Sequence, residues 1–179
     1  MMMKSNYSFL EGKSVRLRAL EPEDLTLLYQ VENDPSIWNT SNATMPYSKF
    51  FLKQYLENQQ GDIFTDKQLR LVIEHKEDRL PVGIIDLFEF CPLHQRVEVG
   101  VIVLEHVRSL GYGREAVQLI KDYAFNHLMM HQITAKVAVN NIPSLNMFKA
   151  CNFEETASLK DWLFTSDGFI DILVLQCFK

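Results

Sequence analysis

The chain has 179 residues, of which 47% are hydrophobic and 23% charged, and this length and composition predict one globular domain over residues 1–179. The hydrophobic share excludes a disordered chain, and a formal net charge of −5 argues against nucleic acid as a partner, because phosphate binding needs clustered Lys and Arg. Three separated cysteines and the absence of a signal peptide or membrane-spanning apolar run predict a cytoplasmic protein with no membrane partner.

The first half of the chain predicts a strand, two helices and a pair of strands. Apolar residues alternate with Arg16 and Arg18 over residues 14–20, which predicts a half-buried strand whose arginines face solvent. Pro22 and the acidic residues around it predict the start of a helix that ends at Asp34. The elements that follow are a polar connection over 36–46, a helix over about 49–60, and strands over 68–74 and 82–90 joined as a hairpin.

The second half alternates strands and helices. A strand over 96–104 leads to a helix over about 112–129, whose apolar residues recur at helical spacing. The later elements are a strand over 132–139, a helix over 142–151, and strands over 153–159 and 170–178.

The order β-α-α-β-β-β-α-β-α-β-β predicts an α/β (α+β) fold. We expect one domain with a mixed, mostly antiparallel central sheet of about six to seven strands and about four flanking helices. The strands on either side of the 112–129 helix should be parallel, because a helical crossover joins them.

A glycine-rich loop lies between a strand and a helix, with the sequence Arg108-Ser109-Leu110-Gly111-Tyr112-Gly113-Arg114. Two glycines let the backbone turn tightly and present its N–H groups, and the helix that follows adds unpaired first-turn donors, so the loop predicts an anion site. The Gly-Lys-Ser/Thr of a Walker loop is absent, and so is the third glycine of the dinucleotide pattern. A strand-to-helix connection without a ligand is the alternative.

At Arg108, Gly111 and Gly113 the sequence resembles the GNAT superfamily of acyl-CoA-dependent N-acetyltransferases. A second segment, from Asn141 to Phe153, is similar to another stretch of that family's pattern at the family's spacing. The resemblance covers nearly the whole chain and implies the GNAT fold, with acetyl-CoA as the acetyl donor. The contacts it implies for acetyl-CoA are Val101, Ile102, Val103, Arg108, Ser109, Leu110, Gly111, Tyr112, Gly113, Arg114, Asn141, Ser144 and Phe148. Asn141 and Ser144 are also suited to capping the helix that follows.

Within the superfamily the chain resembles the branch of the spermidine/polyamine N-acetyltransferases and the ribosomal-protein N-terminal acetyltransferases of the RimJ/RimL type. We expect transfer of an acetyl group to a small primary amine such as spermidine by direct attack in a ternary complex. The candidate acceptor contacts are Glu32, Asp34, Trp38 and Asp86, with Tyr47 and Glu89 nearby in the same acidic and aromatic set. N-terminal or antibiotic-amine acetylation and an acyl-CoA-binding module without catalysis are the alternatives, and a homo-oligomer is possible.

Two residues depart from the family pattern. Phe148 stands where many relatives have the tyrosine taken as the general acid for the departing thiolate, and phenylalanine has no proton to donate. Asn152 stands where relatives have glycine, and asparagine tolerates the left-handed conformation that ends the helix.

Glu98 is the first candidate for the base that takes the proton of the amine, because relatives often place an acid on this strand. The alternative is a strand carboxylate that faces outward and pairs with Arg96. A backbone N–H of residues 99–103 should polarise the thioester oxygen. The five histidines have no metal-ligand spacing, so no metal is expected.

Overall fold

The computed structural model describes residues 9–38, 45–58 and 61–179. The N-terminal residues 1–8, the middle of the predicted polar connection at 39–44 and the last residues of the predicted second helix, 59–60, lie outside the described residues. The strands are β1 Val15–Ala19, β2 Leu69–His75, β3 Pro81–Cys91, β4 Arg96–Val103, β5 Gln132–Ala138, β6 Glu154–Thr165 and β7 Gly168–Phe178. The α-helices are α1 Leu25–Glu32, α2 Pro35–Trp38, α3 Lys49–Asn58, α4 Ile63–Asp66, α5 Tyr112–Asn126 and α6 Ile142–Ala150.

The described strands form a single seven-stranded sheet in the order β1-β2-β3-β4-β5-β7-β6. Strands β4 and β5, which flank α5, pair in parallel, and every other neighbouring pair is antiparallel. The predicted mixed, mostly antiparallel α+β sheet and its one parallel crossover are therefore confirmed.

The helices differ from the prediction in number and length. The four longer helices are the expected ones, whereas α2 and α4 are single turns of four residues that the sequence pattern does not predict. Asp62, which follows the helix predicted over about 49–60, begins α4, because its carboxylate accepts the N–H of Phe64 as an N-cap. Helix α5 ends at Asn126, three residues before the predicted 129.

Each face of the sheet buries its own apolar cluster. On one face Val97, Val99 and Ile133 pack with Val117 and other residues of α5 and α6. On the opposite face Val72 and Ile84 pack with Leu28 of α1 and Leu52 of α3. Because strand side chains alternate between faces, the even-numbered residues of β4, including Glu98, lie on the α1/α3 face.

The expectation that Arg16 and Arg18 form a solvent face is wrong. Both guanidinium groups bond the carboxylate of Glu74 on β2, and Arg18 also binds Asp24 through both carboxylate oxygens at 2.7 and 2.9 Å. Glu74 and Asp24 are themselves buried, so these arginines join β1 to β2 and to the start of α1.

None of the helices within the described ranges is both long enough and apolar enough to cross a bilayer.

Candidate active site

Strands β4 and β5 part from one another partway along their length. They pair at only three positions, the last being Glu98 with Thr134, although β4 continues to Val103 and β5 to Ala138. Beyond this point β4 remains bonded to β3 and β5 to β7, so a wedge opens between the two central strands. Backbone groups of a strand alternate between its two neighbours, so part of the N–H donors of Val99–Val103 are directed into this wedge.

The loop after β4 leads to the N-terminus of α5 at the wide end of the wedge. Among the described residues, the N–H of Arg108 bonds Glu105 O and that of Glu115 bonds Gly111 O, while no protein acceptor is bonded by the N–H groups from Ser109 to Arg114. This concentration of free donors at a helix N-terminus is the electrostatic requirement for binding phosphate groups.

Two arginines flank these donors. The side chain of Arg108 folds back so that its Nε donates to Val103 O at 3.1 Å, and it remains exposed. Arg114 is also exposed, on the first turn of α5. Neither guanidinium forms an ion pair within the described ranges, so both are available to an anion.

The two glycines of the loop serve different geometric needs. Gly111 has φ +88°, a left-handed conformation that only glycine adopts readily, and a Cβ there would meet nothing within 4 Å. Gly113 is buried, and its Cβ would lie 3.0 Å from Val103 Cγ2 and 3.1 Å from Met147 Sδ. Gly111 therefore sets the turn, and Gly113 allows α5 to approach β4 and α6 closely.

Helix α6 begins just after β5, beside the second edge of the wedge. The side chain of Asn141 accepts the N–H of Ser144 at 3.2 Å, so the capping interaction weighed for these two residues is present. Phe148 is 3% exposed and packs edge-on against Phe153, with ring centroids 5.1 Å apart. Contacts of Asn141, Ser144 and Phe148 with acetyl-CoA stay a prediction. Asn152 has φ +65°, which confirms that asparagine supplies the left-handed residue after α6.

Glu98 lies at the position where β4 and β5 separate. It is 8% exposed, and its Oε2 accepts a hydrogen bond from Lys136 Nζ on β5 at 2.7 Å. Arg96 is exposed and is not the partner of Glu98, so the alternative of an outward-facing pair with Arg96 is wrong. A buried carboxylate at the mouth of the wedge is placed to receive a proton from a group approaching from the α1/α3 face.

A second charged cluster lies on the same face, two strands away. Arg70 of β2 donates to both carboxylate oxygens of Asp86 on β3 at 2.8 Å each and to Glu32 on α1 at 2.5 Å. Burial alone would lower the pKa of Arg70, but the charges of Asp86 and Glu32 and the hydrogen bond to Asp86 raise it overall. Arg70 also lines a cavity of about 320 Å³ together with Tyr55 and Asp66.

The other predicted acceptor residues are held by local contacts. Trp38 Nε1 donates to the carbonyl oxygen of Glu32 at 2.8 Å, while Asp34 accepts the N–H of Ser36. Tyr47 is clamped through its backbone N–H and C=O by the side chain of Asn33. Glu89 is exposed with φ +50°, at an irregularity of β3. Thus Glu32 and Asp86 are brought together by Arg70, Trp38 contacts the backbone of Glu32, and the Asp34 side chain forms a local turn contact.

Neither Lys136 nor Arg70 is predicted from the sequence as a site residue, although both bond predicted site residues. The signal for Arg70 is its position in a strand next to the hairpin strand of Asp86, which allows a cross-strand pair. For Lys136 the signal is weaker, because its contact with Glu98 depends on the register of two strands joined through α5.

Comparison with known proteins agrees with this geometry. The model of the "Acetyltransferase (GNAT) domain" matches residues 14–154. The chain is 28% identical over 161 residues to a spermidine N(1)-acetyltransferase of Vibrio cholerae, covering 90% of this chain and 91% of that one. It is 24% identical to the spermidine N(1)-acetyltransferase of Escherichia coli strain K12, covering 93% and 87% of the two chains.

Solved structures show the same fold. A dodecameric spermidine N-acetyltransferase from Vibrio cholerae superposes with a TM-score of 0.78 at 26% identity, covering 93% of this chain and 95% of that one. The spermidine N-acetyltransferase from Vibrio cholerae in complex with CoA and spermine gives a TM-score of 0.81 at 24% identity, covering 93% and 96%.

Proposed function

Because the chain belongs to the GNAT acetyltransferase family and is an acetyl-CoA-dependent N-acetyltransferase, we propose that its acceptor is a small primary amine of the polyamine class, such as spermidine. The observation that carries this proposal is the buried Glu98 carboxylate at the point where β4 and β5 part, facing α1 and α3. Two relatives are spermidine N(1)-acetyltransferases, and a net charge of −5 favours a cationic acceptor.

The residues of the loop and wedge fit acetyl-CoA. The free N–H groups of residues 109–114, with Arg108 and Arg114 beside them, would hold the pyrophosphate. The inner edge of β4, from Val101 to Val103, would run along the pantetheine arm. When bound, acetyl-CoA supplies an activated acetyl group whose carbonyl oxygen a backbone N–H of β4 can polarise.

Glu98 acts on the acceptor. A primary amine has a pKa near ~10.4 and arrives protonated, so it must lose a proton before it can attack a carbonyl carbon. Glu98 Oε2 accepts that proton, directly or through water. Lys136 already donates to this oxygen, so an incoming ammonium group has to displace it or share the carboxylate.

Phe148 leaves the departing thiolate without the phenolic proton donor that many relatives use. A thiol has a pKa of ~8.5, so the thiolate is a tolerable leaving group near neutral pH without help from a tyrosine. We therefore propose that turnover does not depend on an acid at position 148.

Acceptor selectivity arises on the α1/α3 face. Glu32 and Asp86 are both bonded to Arg70, so this cluster carries a single net negative charge rather than two free carboxylates. It attracts an ammonium group less strongly than the sequence alone predicts. Two aromatic residues lie at this cluster: Tyr55, whose ring centroid is 5.8 Å from Arg70 Cζ, and Trp38, which is bonded to the backbone of Glu32.

We also propose a cellular compartment, a domain organisation and an oligomeric state for the enzyme. We place it in the cytoplasm, where its three free cysteines are compatible with a reducing compartment, and treat residues 1–179 as one acetyltransferase domain. A homo-oligomer is supported by a relative described as dodecameric and by exposed aromatic side chains on the β6–β7 hairpin, namely Trp162, Phe164 and Phe169.

The test is a panel of amines incubated with the protein and acetyl-CoA, with products identified by mass spectrometry. We expect acetylated spermidine or spermine, and a fall in kcat of about 10²-fold in Glu98→Gln. The matched control is Glu155→Gln, which removes a carboxylate paired with Lys149 at 3.8 Å on β6, outside the wedge, and should leave kcat unchanged.

Other outcomes would replace the acceptor assignment. Acetylation of an N-terminal peptide or an aminoglycoside, with polyamines untouched, would move the acceptor to one of those classes. Tight CoA binding measured by calorimetry with no acetylated amine in the panel would contradict the polyamine proposal as a whole.

A further inference from the structure

We propose that Lys136 is a site of self-acetylation, in which its side-chain amine takes the place of the external acceptor at the Glu98 carboxylate. This inference rests on the proposed function of Glu98. It adds to that function a covalent modification site on the protein itself.

The geometry places a primary amine at the candidate base. Lys136 Nζ lies 2.7 Å from Glu98 Oε2, so it already occupies the position that the amine of an external acceptor would have to reach. Lys136 is two residues beyond Thr134, the last residue of β5 that pairs with β4, so it projects from the unpaired edge of the wedge on the Glu98 face. Its side chain is 40% exposed and therefore free to change rotamer towards the wedge.

Other lysines of the described ranges lack this combination. Lys121 is buried on α5 and donates to the carbonyl oxygen of Cys151. Lys160 forms an ion pair of the same length, 2.7 Å, but with Asp171 at the β6–β7 hairpin, and its side chain is 77% exposed. Lys53 lies on α3 with a 3.8 Å contact to Glu57. If solvent exposure alone decided which lysine is acetylated, Lys160 and Lys53 would react first. If proximity to the candidate base decides, Lys136 reacts first.

The reaction uses acetyl-CoA as the only co-reactant. Lys136 Nζ first gives one proton to Glu98. Its lone pair then forms a bond to the acetyl carbonyl carbon, while the carbon–sulfur bond of the thioester breaks and its electron pair leaves with the CoA sulfur. Nitrogen loses a second proton as the amide forms, and the thiolate takes up one, so the net products are acetyl-lysine, CoA thiol and one released proton.

Acetylation changes what Glu98 contacts. Acetyl-lysine carries no charge, so the ion pair between residues 136 and 98 is lost and the carboxylate oxygen is open to an external ammonium group. We expect the acetylated protein to bind the acceptor more tightly, with KM lowered about threefold, because no internal cation competes.

The experiment incubates the full chain with isotopically labelled acetyl-CoA and no amine, and follows each lysine by peptide mass spectrometry. Lys136 should be labelled at least about tenfold faster than Lys160 or Lys53, at a rate independent of protein concentration. Glu98→Gln should slow labelling at Lys136 about tenfold and leave Lys160 unchanged, whereas Asp171→Asn, the matched removal of the other ion pair, should not slow Lys136.

A second readout needs no turnover. Acetic anhydride modifies accessible lysines without CoA, so saturating CoA should protect Lys136 from it about threefold or more and leave Lys160 unprotected. Absence of this protection, with CoA binding verified by calorimetry, would overturn the placement of Lys136 at the bound thioester.

The outcomes separate this inference from the proposed function. If spermidine is acetylated while Lys136 is labelled no faster than Lys160, self-acetylation is disproved and the polyamine activity stands. If Lys136 is labelled selectively and no external amine is, the self-acetylation site is supported and the acceptor assignment fails.

Discussion

At the scale of single residues, the loop proposed to bind acetyl-CoA depends on two glycines with unrelated physical roles. Gly111 provides a positive φ, which directs the chain from the end of β4 into α5. Gly113 is needed because it has no Cβ: side chains from β4 and α6 lie 3.0 and 3.1 Å from where a Cβ would be, closer than ordinary van der Waals contact. A sequence motif that records both as glycine hides this difference.

Gly111→Ala tests the first role. The left-handed conformation costs a residue with a Cβ about 1 kcal/mol, and relief of that strain would turn the N–H groups of the loop away from their common direction. We expect about tenfold weaker CoA binding by calorimetry, with a loss of about 1 kcal/mol in the free energy of unfolding.

Gly168→Ala is the matched control for that substitution. Gly168 also has a positive φ, +111°, and open space around a Cβ, but it lies in the β6–β7 turn. It should lose comparable stability while CoA affinity stays at the wild-type value. Equal loss of CoA affinity in both variants would show that the effect of Gly111→Ala is global destabilisation.

The loop residues are predictable from the sequence, while the Glu98–Lys136 pair is not. The loop is a local feature whose turn chemistry is written in consecutive residues. The contact between Glu98 and Lys136 joins two strands separated by the whole of α5, and it requires the register that places Glu98 opposite Thr134. The burial of Glu98, two residues from the exposed Arg96, is likewise not visible in the local sequence pattern.

At the scale of secondary-structure elements, Arg70 connects three of them. Its guanidinium joins β2 to β3 through Asp86 and to α1 through Glu32. Helix α1 has only two turns, so its position over the sheet relies on this cluster and on the burial of Leu27, Leu28 and Val31. Arg70 therefore holds α1, the helix on the proposed acceptor side, against the sheet.

Arg70→Met tests this connection. Methionine keeps much of the apolar stem but leaves Glu32 and Asp86 facing each other without a cation, so we expect a loss of about 2–3 kcal/mol in urea unfolding. Adding Glu32→Gln and Asp86→Asn should recover part of that loss.

Arg79→Met is the control, at a guanidinium that is 59% exposed beside Glu74, and it should lower the free energy of unfolding by less than about 1 kcal/mol. A similar cost for Arg70→Met and Arg79→Met would contradict the role given to Arg70.

Element order and strand direction follow from the sequence because apolar periodicity and crossover length determine them. The short helices α2 and α4 do not, since one turn has too few residues to show a helical period. Strand β6 extends to Thr165, beyond the predicted 159, because two register shifts let it pair with β7 as far as the turn at Gly168. Such irregular pairing breaks the alternation from which a strand is predicted.

At the scale of the whole molecule, the sheet separates two functions. The α5/α6 face carries the larger apolar cluster and the loop proposed to bind acetyl-CoA, and the α1/α3 face carries the charged groups proposed to handle the amine. The wedge between β4 and β5 connects the two faces, so in the proposed function a donor held on one side reacts with an acceptor arriving from the other.

A second group of charged residues, around Glu74 on β2, stabilises the fold. This buried carboxylate accepts bonds from Arg16, Arg18 and Arg79. Burial by itself would raise the pKa of Glu74, but the three arginine hydrogen bonds lower it overall, below its ordinary value of 4.5. A carboxyl group whose pKa is lowered on folding stabilises the protein above its unfolded pKa, and this stabilisation is lost as the pH falls through the folded value.

Glu74→Gln should therefore unfold with a free energy about 2 kcal/mol below that of the wild type at pH 7, because three guanidinium groups lose their shared anion. The difference should shrink as the pH falls below 4.5, where the Glu74 carboxyl group of the unfolded chain takes up a proton, and it should keep shrinking until the pH has passed through the lowered pKa of the folded state. Urea titrations of both proteins between neutral and acidic pH measure it. Glu57→Gln, which removes an exposed carboxylate 3.8 Å from Lys53, should match the wild type within about 0.5 kcal/mol at every pH. A Glu74→Gln deficit of constant size at all pH values would show that the side chain contributes by packing and not by its charge.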